Sequence, residues 1–130
     1  MANPNIVNVA TINGGNSAWA LTNTVTTTLL TAAADVIVKI NSIIVTNIHG
    51  TNAATVSAGI YGIGNAATGL TIASGLADCR IASTMNVPAD DSLVLIDKPI
   101  YLMEDDILRG GASAASTLEL FASYEVINDA

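Results

Sequence analysis

The sequence predicts an all-β chain: an antiparallel β-sandwich of jelly-roll type, with about eight strands and an extended N-terminal segment. Three observations carry that expectation. Apolar and polar residues alternate with period two through most of the chain, the spacing of half-buried strands, and helical spacing is scarce. Turn-forming clusters recur at short intervals between these runs: "IHGTNA" at 48–53, "VPADDS" at 87–92, "MEDD" at 103–106 and "GGASAAS" at 110–116. Composition agrees, because hydrophobic residues make up 51% of the chain but aromatics only 4% and charged residues 12%. The apolar share is therefore aliphatic, which suits packed strands better than a charged helical bundle.

The elements follow in order. Residues 1–30, rich in Asn and Thr around "INGGNSAW", read either as two edge strands or as an arm laid on a neighbouring subunit. Residues 31–130 read as the sandwich domain. "LTAAAD" at 30–35 is the most helix-like piece and no more than a short turn. "VIVKINSIIVTN" at 36–47 is the clearest strand: Val36, Val38, Ile40 and Ile44 point one way, Lys39, Asn41 and Asn47 the other. Ile37, Ile43 and Val45 join the second face, leaving it half apolar and in want of a cover. "TVSAGIYGI" at 55–63 places Val56, Ala58 and Ile60 together, and the small residues of 64–78 form a long loop or weak hairpin.

In "DCRIASTMNV" alternation sets Cys79, Ile81, Met85 and Val87 on one face, with Cys79 as a buried, inert thiol. "LVLID", "PIYLM" and "ILRGG" are shorter strands. "TLELFASYEV" turns Leu118, Leu120, Ala122, Tyr124 and Val126 inward and Glu119, Ser123 and Glu125 outward.

Charge narrows the function. The net charge is −7, with 11 acids against Lys39, Arg80, Lys98 and Arg109. Nucleic-acid affinity comes from Lys and Arg neutralising phosphates, so that partner is not expected, nor is an anionic membrane surface. One cysteine rules out an internal disulfide and a multi-thiolate metal cage. No apolar run reaches bilayer-spanning length, and "MANPNIVNVAT" lacks the basic start and apolar block of a secretory leader. Synthesis and residence in the cytoplasm of the producing cell are the expectation.

Candidate chemistry is sparse. Glu104, Asp105 and Asp106 are the weak metal candidates, but neighbouring strand residues point to opposite faces, so three in a row converge only in a turn. Between "PIYL" and "ILRG" they read as an exposed, solvated reversal. Asp90 and Asp91 form a similar acidic tip behind Pro88. Gly62, Gly64 and Ala67 imitate a dinucleotide fingerprint without the strand–helix context that motif needs. His49, the one histidine, stands in "TNIHGTN" with no nucleophile or orienting acid nearby in sequence, and reads as an exposed turn residue. A cupin-type enzyme would need several His ligands. Trp19, the one tryptophan, is a candidate interface anchor, or else a core residue of its own domain. Asp90 and Asp91 are further interface candidates. No catalytic residue and no cofactor is assigned, and enzymatic activity is not expected. Surfaces of Thr, Asn, Ser and Ala bury against partners at low desolvation cost, which favours assembly.

The series "VPADDSLVLIDKPIYLMEDDILRGGASAASTLELFASYEVI", 87–127, resembles small virion proteins of tailed bacteriophages, particularly marine and cyanobacterial phages. The shared features are a Pro-led loop, a strand ending near "KPIYL", an acidic turn, "LR", a small-residue loop and a terminal strand ending "SYE". The stretch "VIVKINSIIVTNIHGTNAATVSAGIY", 36–61, is similar to the preceding hairpin of such proteins. The resemblance implies a β-sandwich capsid decoration or cement protein on the virion surface, made in the host cytoplasm. It further implies the major capsid protein and the chain itself, as a homotrimer, as partners. The alternative it implies is an accessory module of the tail, neck or fibres, with glycan binding at its loops.

Overall fold

The computed structural model describes residues 10–64, 71 and 75–128. Among them nine strands follow one another: β1 (Thr11–Ala20), β2 (Thr28–Thr31), β3 (Val36–Asn47), β4 (Ala54–Tyr61), β5 (Cys79–Val87), β6 (Ser92–Ile96), β7 (Ile100–Leu102), β8 (Ile107–Ala112) and β9 (Leu118–Asn128). One sheet has the order β1-β9-β3-β6, with β7 also on β3; the other has the order β2-β8-β4-β5. β6 pairs with Ile43–Thr46 and β7 with Val38–Ile40, so the two share one strand position. The break falls at Asp97, Lys98 and Pro99, where proline has no N–H to continue a ladder. Counted that way there are eight positions in two antiparallel four-stranded sheets, in the double Greek-key order of a jelly roll. The all-β sandwich expected from the alternation is the fold. Residues 11–20 and 28–31 belong to it as strands, β1 along β9 and β2 along β8.

The core lies between the sheets. Across the first sheet the register lines up Trp19, Leu120, Val45 and Leu93, one residue per strand. Leu120 and Val45 are fully buried there, with Trp19 and Leu93 packed at the two margins. Val56, Ile60, Val87 and Leu108 of the second sheet belong to the same cluster. Each such aliphatic side chain contributes about 1.5–3 kcal/mol on burial.

The strand β3 departs from strict alternation. A register shift between Ile40 and Ser42 inserts one residue against β9, a bulge that reverses the parity of everything after it. Ile43 and Val45 therefore turn into the core at 0% exposure, while Ile44 moves to the outer face. This corrects the expectation that Ile44 faces inward with Val36, Val38 and Ile40. The bulge thus lets both halves of β3 present aliphatic residues to the core, while Ile37, which precedes it, stays on the second face and is covered there at 1% exposure, opposite Ile127.

β5 also departs from the expected alternation. Cys79 is exposed, as are Ile81 and Met85, and Ala82 and Val87 are the buried positions. β5 is an edge strand with register shifts between Val56 and Ala58 and between Ala58 and Gly59 of its partner β4. Thr84 takes a left-handed φ of 48° there, and its N–H donates to Ser57 Oγ at 2.9 Å. The two shifts break the simple alternation between Cys79 and Val87 and bring Ala82 in line with Ala58, while Cys79 itself stays opposite Ile60 at the end of this edge strand.

The connection from β1 to β2 runs over β8, where Ala112 N–H donates to Thr22 O at 2.8 Å and Gly110 N–H to Thr27 O at 3.0 Å. A Cβ on Gly111 would stand 2.7 Å from the Thr24 carbonyl carbon and 2.8 Å from Val25 Cα. Only glycine lets these two backbones approach so closely.

Candidate interaction surface and acidic turns

The strand order sends the loops to two ends. At one end lie the connections 48–53, 88–91 and 113–117, joined by backbone bonds: Asn47 N–H to Asp91 O, Ile48 N–H to Thr117 O and Asp90 N–H to His49 O. Asn47 organises this end from inside. Only 1% exposed, it donates through Nδ2 to Val87 O at 2.9 Å and Asn52 O at 3.0 Å. Its Oδ1 accepts the His49 N–H at 2.8 Å. His49 is exposed, and its Nδ1 accepts the N–H groups of Thr51 at 3.1 Å and Asn52 at 3.0 Å. The histidine thus caps its own turn. Asp90 and Asp91 are exposed beside it, in a turn closed by Asp91 N–H to Pro88 O at 3.2 Å. Asp90 takes φ 57°, a conformation that Asp tolerates better than most residues. Asp91 Oδ1 accepts the Ser92 N–H at 2.8 Å.

At the other end, Met103–Asp106 repeats the same device. Asp106 N–H donates to Met103 O at 3.0 Å and Asp105 takes φ 69°, the pattern of a type II turn with its third residue left-handed. The reversal expected from "MEDD" is present, and Asp105 is exposed. Its neighbours are not: Glu104 is 0% and Asp106 4% exposed, against the expectation that all three acids are solvated. The β2–β3 connection clamps the turn through Ala32 N–H to Asp106 O at 3.0 Å and Asp105 N–H to Ala32 O at 2.9 Å. Asp106 Oδ2 accepts the Met103 N–H at 3.0 Å, closing the turn with its side chain. Burial pushes the Asp106 carboxyl above its ordinary range; the Met103 N–H works against this and the Asp105 charge adds to it. Among the described residues no three His, Cys, Asp or Glu side chains are grouped to hold a metal ion.

Of the mimic fingerprint, Gly62 and Gly64 lie in the connection after β4, and Ala67 falls outside the described residues. Gly62 N–H donates to Asp78 Oδ1 at 3.1 Å. Arg109, one of four basic residues, stacks its guanidinium 5.2 Å from the Tyr61 ring centre.

The outer face of the first sheet is the surface that stands out. Ala18, Phe121, Ile44 and Val94 are register partners on β1, β9, β3 and β6, and form one apolar row across all four strands. Phe121 is 41% and Val94 55% exposed. Beside this row lies a shallow groove of about 350 Å³, bounded by Ala18, Ala20, Thr46, Glu119 and Phe121. Trp19 reaches the groove from the inner side, half-buried and packed on the core. Comparison with family models, with curated proteins and with solved structures found no match. The surface must therefore be read from its own chemistry. Phe121 is not among the residues assigned from the sequence, although the alternation of "ELFASYE" points it outward; its alignment with Ile44 depends on the β3 bulge, which no periodicity signals.

Proposed function

We propose that this chain is a virion structural protein of a tailed phage, a decoration or cement protein that binds the major capsid protein lattice and copies of itself on the capsid surface. The observation that carries the reading is the exposed apolar row Ala18–Phe121–Ile44–Val94. An apolar strip with an aromatic near its centre, on a surface poor in formal charge, is what a packing interface offers: area to bury and few ions to desolvate. The jelly-roll order supports it as analogy, since that fold serves capsid proteins among others. The acidic tips at Asp90, Asp91 and Asp105 are exposed at the two ends, where basic patches on a shell would meet them. Purified particles treated with graded chaotrope, then sedimented and analysed by mass spectrometry, test the assignment. The chain is expected to release from heads before the major capsid protein does. Absence from purified particles, or recovery with tails alone, defeats the proposal.

A further inference from the structure

We infer that two copies of this chain pair through the outer edge of β1, which no other described strand covers, antiparallel about a two-fold axis at Asn16, extending the first sheet across both. The inference stands on the edges of the sandwich and does not depend on the virion assignment. Proteins blunt exposed sheet edges with short strands, bulges, proline or charge, because unpaired backbone groups recruit another strand. Three of the four edges here are blunted. β2 has 4 residues and a register shift. β5 has two register shifts and carries Arg80. The β6–β7 edge is broken at Asp97, Lys98 and Pro99. β1 is different: its 10 residues, "TINGGNSAWA", pair with β9 without a shift and include no charge and no proline. Among the described residues, β9 is its one partner.

The register fixes which groups are free. Leu21 N–H bonds Leu118 O, and alternate residues of an antiparallel strand address opposite neighbours. The odd positions of β1 thus face β9, and Ile12, Gly14, Asn16, Ala18 and Ala20 offer their N–H and C=O groups outward. One two-fold register uses every one of them: Ile12 opposite Ala20 of the other copy, Gly14 opposite Ala18, and Asn16 opposite Asn16. It makes about ten backbone hydrogen bonds, the complement of an ordinary protein interface.

Side chains agree with a second copy as the occupant. Ile12 is 59% exposed at one end of the strand, and the groove edged by Ala18 and Ala20 lies at the other. Directly opposed residues have Cβ atoms about 5 Å apart, so the two-fold lays each Ile12 over Ala20, at the lip of the partner's groove, twice. Such self-complementarity is what an isologous contact requires. Gly14 fits too. A Cβ there meets nothing within 4 Å inside the chain, yet glycine weakens a strand unless another backbone comes close.

Sedimentation equilibrium on the full chain tests this, with Asn16→Lys and Asn16→Glu as variants. Asn16 is exposed, so both keep the native circular dichroism. The unmodified chain is expected as a dimer of the 13.2 kDa protomer. Each variant alone sets like charges against each other on the axis and weakens pairing on the order of 100-fold. An equimolar mixture of the two restores the dimer. A monomer or trimer for the unmodified chain, a dimer unaffected by either variant, or no rescue on mixing overturns the inference.

Discussion

Replacing Asn47 by alanine is the sharpest test of how the loop end is held together. The side chain makes three hydrogen bonds, to Val87 O, Asn52 O and the His49 N–H, at 2.9, 3.0 and 2.8 Å, from a position 1% exposed. A net intramolecular hydrogen bond is worth about 1 kcal/mol, and a buried group left without its partner costs about 1–3 kcal/mol. Three bonds lost together therefore predict a destabilisation of about 3 kcal/mol, reaching about 5 kcal/mol if no water enters the space left behind. For a domain of this size that lowers the melting temperature by roughly 10 °C. Urea unfolding followed by circular dichroism gives the number. Asn47→Asp sharpens it, because a carboxylate keeps the acceptor for His49 N–H but has no donor for the two carbonyls. It is expected to be at least as damaging as alanine. A loss below about 0.5 kcal/mol for Asn47→Ala, the range of an ordinary surface change, would refute the view that this amide organises the end.

Three further outcomes are expected. Gly111→Ala forces a methyl into the Thr24–Val25 backbone and costs about 1–3 kcal/mol or more, measured by the same unfolding curves. Asp106→Asn keeps an acceptor for Met103 N–H and removes a charge that burial disfavours. Because the folded carboxyl holds its proton more tightly than the unfolded one, its contribution to stability is full below the ordinary value of 3.8 and is lost as pH rises through the raised folded value. The variant should therefore gain on the unmodified chain as pH increases across that window, and a constant difference between the two would contradict the assignment. Phe121→Ser and Val94→Ser, at exposed positions, should leave unfolding within about 0.5 kcal/mol and weaken binding to capsids roughly 30-fold, the effect of removing a central anchor; co-sedimentation with stripped heads reads it.

The fold was legible where strands keep strict alternation. In the first half of β9, Leu118, Leu120 and Ala122 are buried and Glu119 is exposed, as the pattern of that segment requires, whereas Ser123, Tyr124, Glu125 and Val126 are all half-buried. It was not legible where the backbone inserts a residue. The bulge after Ile40 reverses Ile43, Ile44 and Val45, and the register shifts of β5 break its alternation between Cys79 and Val87; periodicity alone cannot locate either event. The acidic turn shows the same division. Asp and a short reversal were visible locally, but not the burial of Glu104 and Asp106 or the clamp of Ala32 on Asp105 and Asp106, a contact across more than seventy positions of chain. The apolar row on the outer face combines both cases, since each residue is visible in its own strand and only the pairing aligns them.

The claim that this chain is a capsid surface protein is tested most directly by a density map of the intact particle into which the chain is placed. The chain is expected on the outside of the head, with the Ala18–Phe121–Ile44–Val94 face against the major capsid protein. Density that places it in the tail, or on the head with that face turned to solvent, would contradict it.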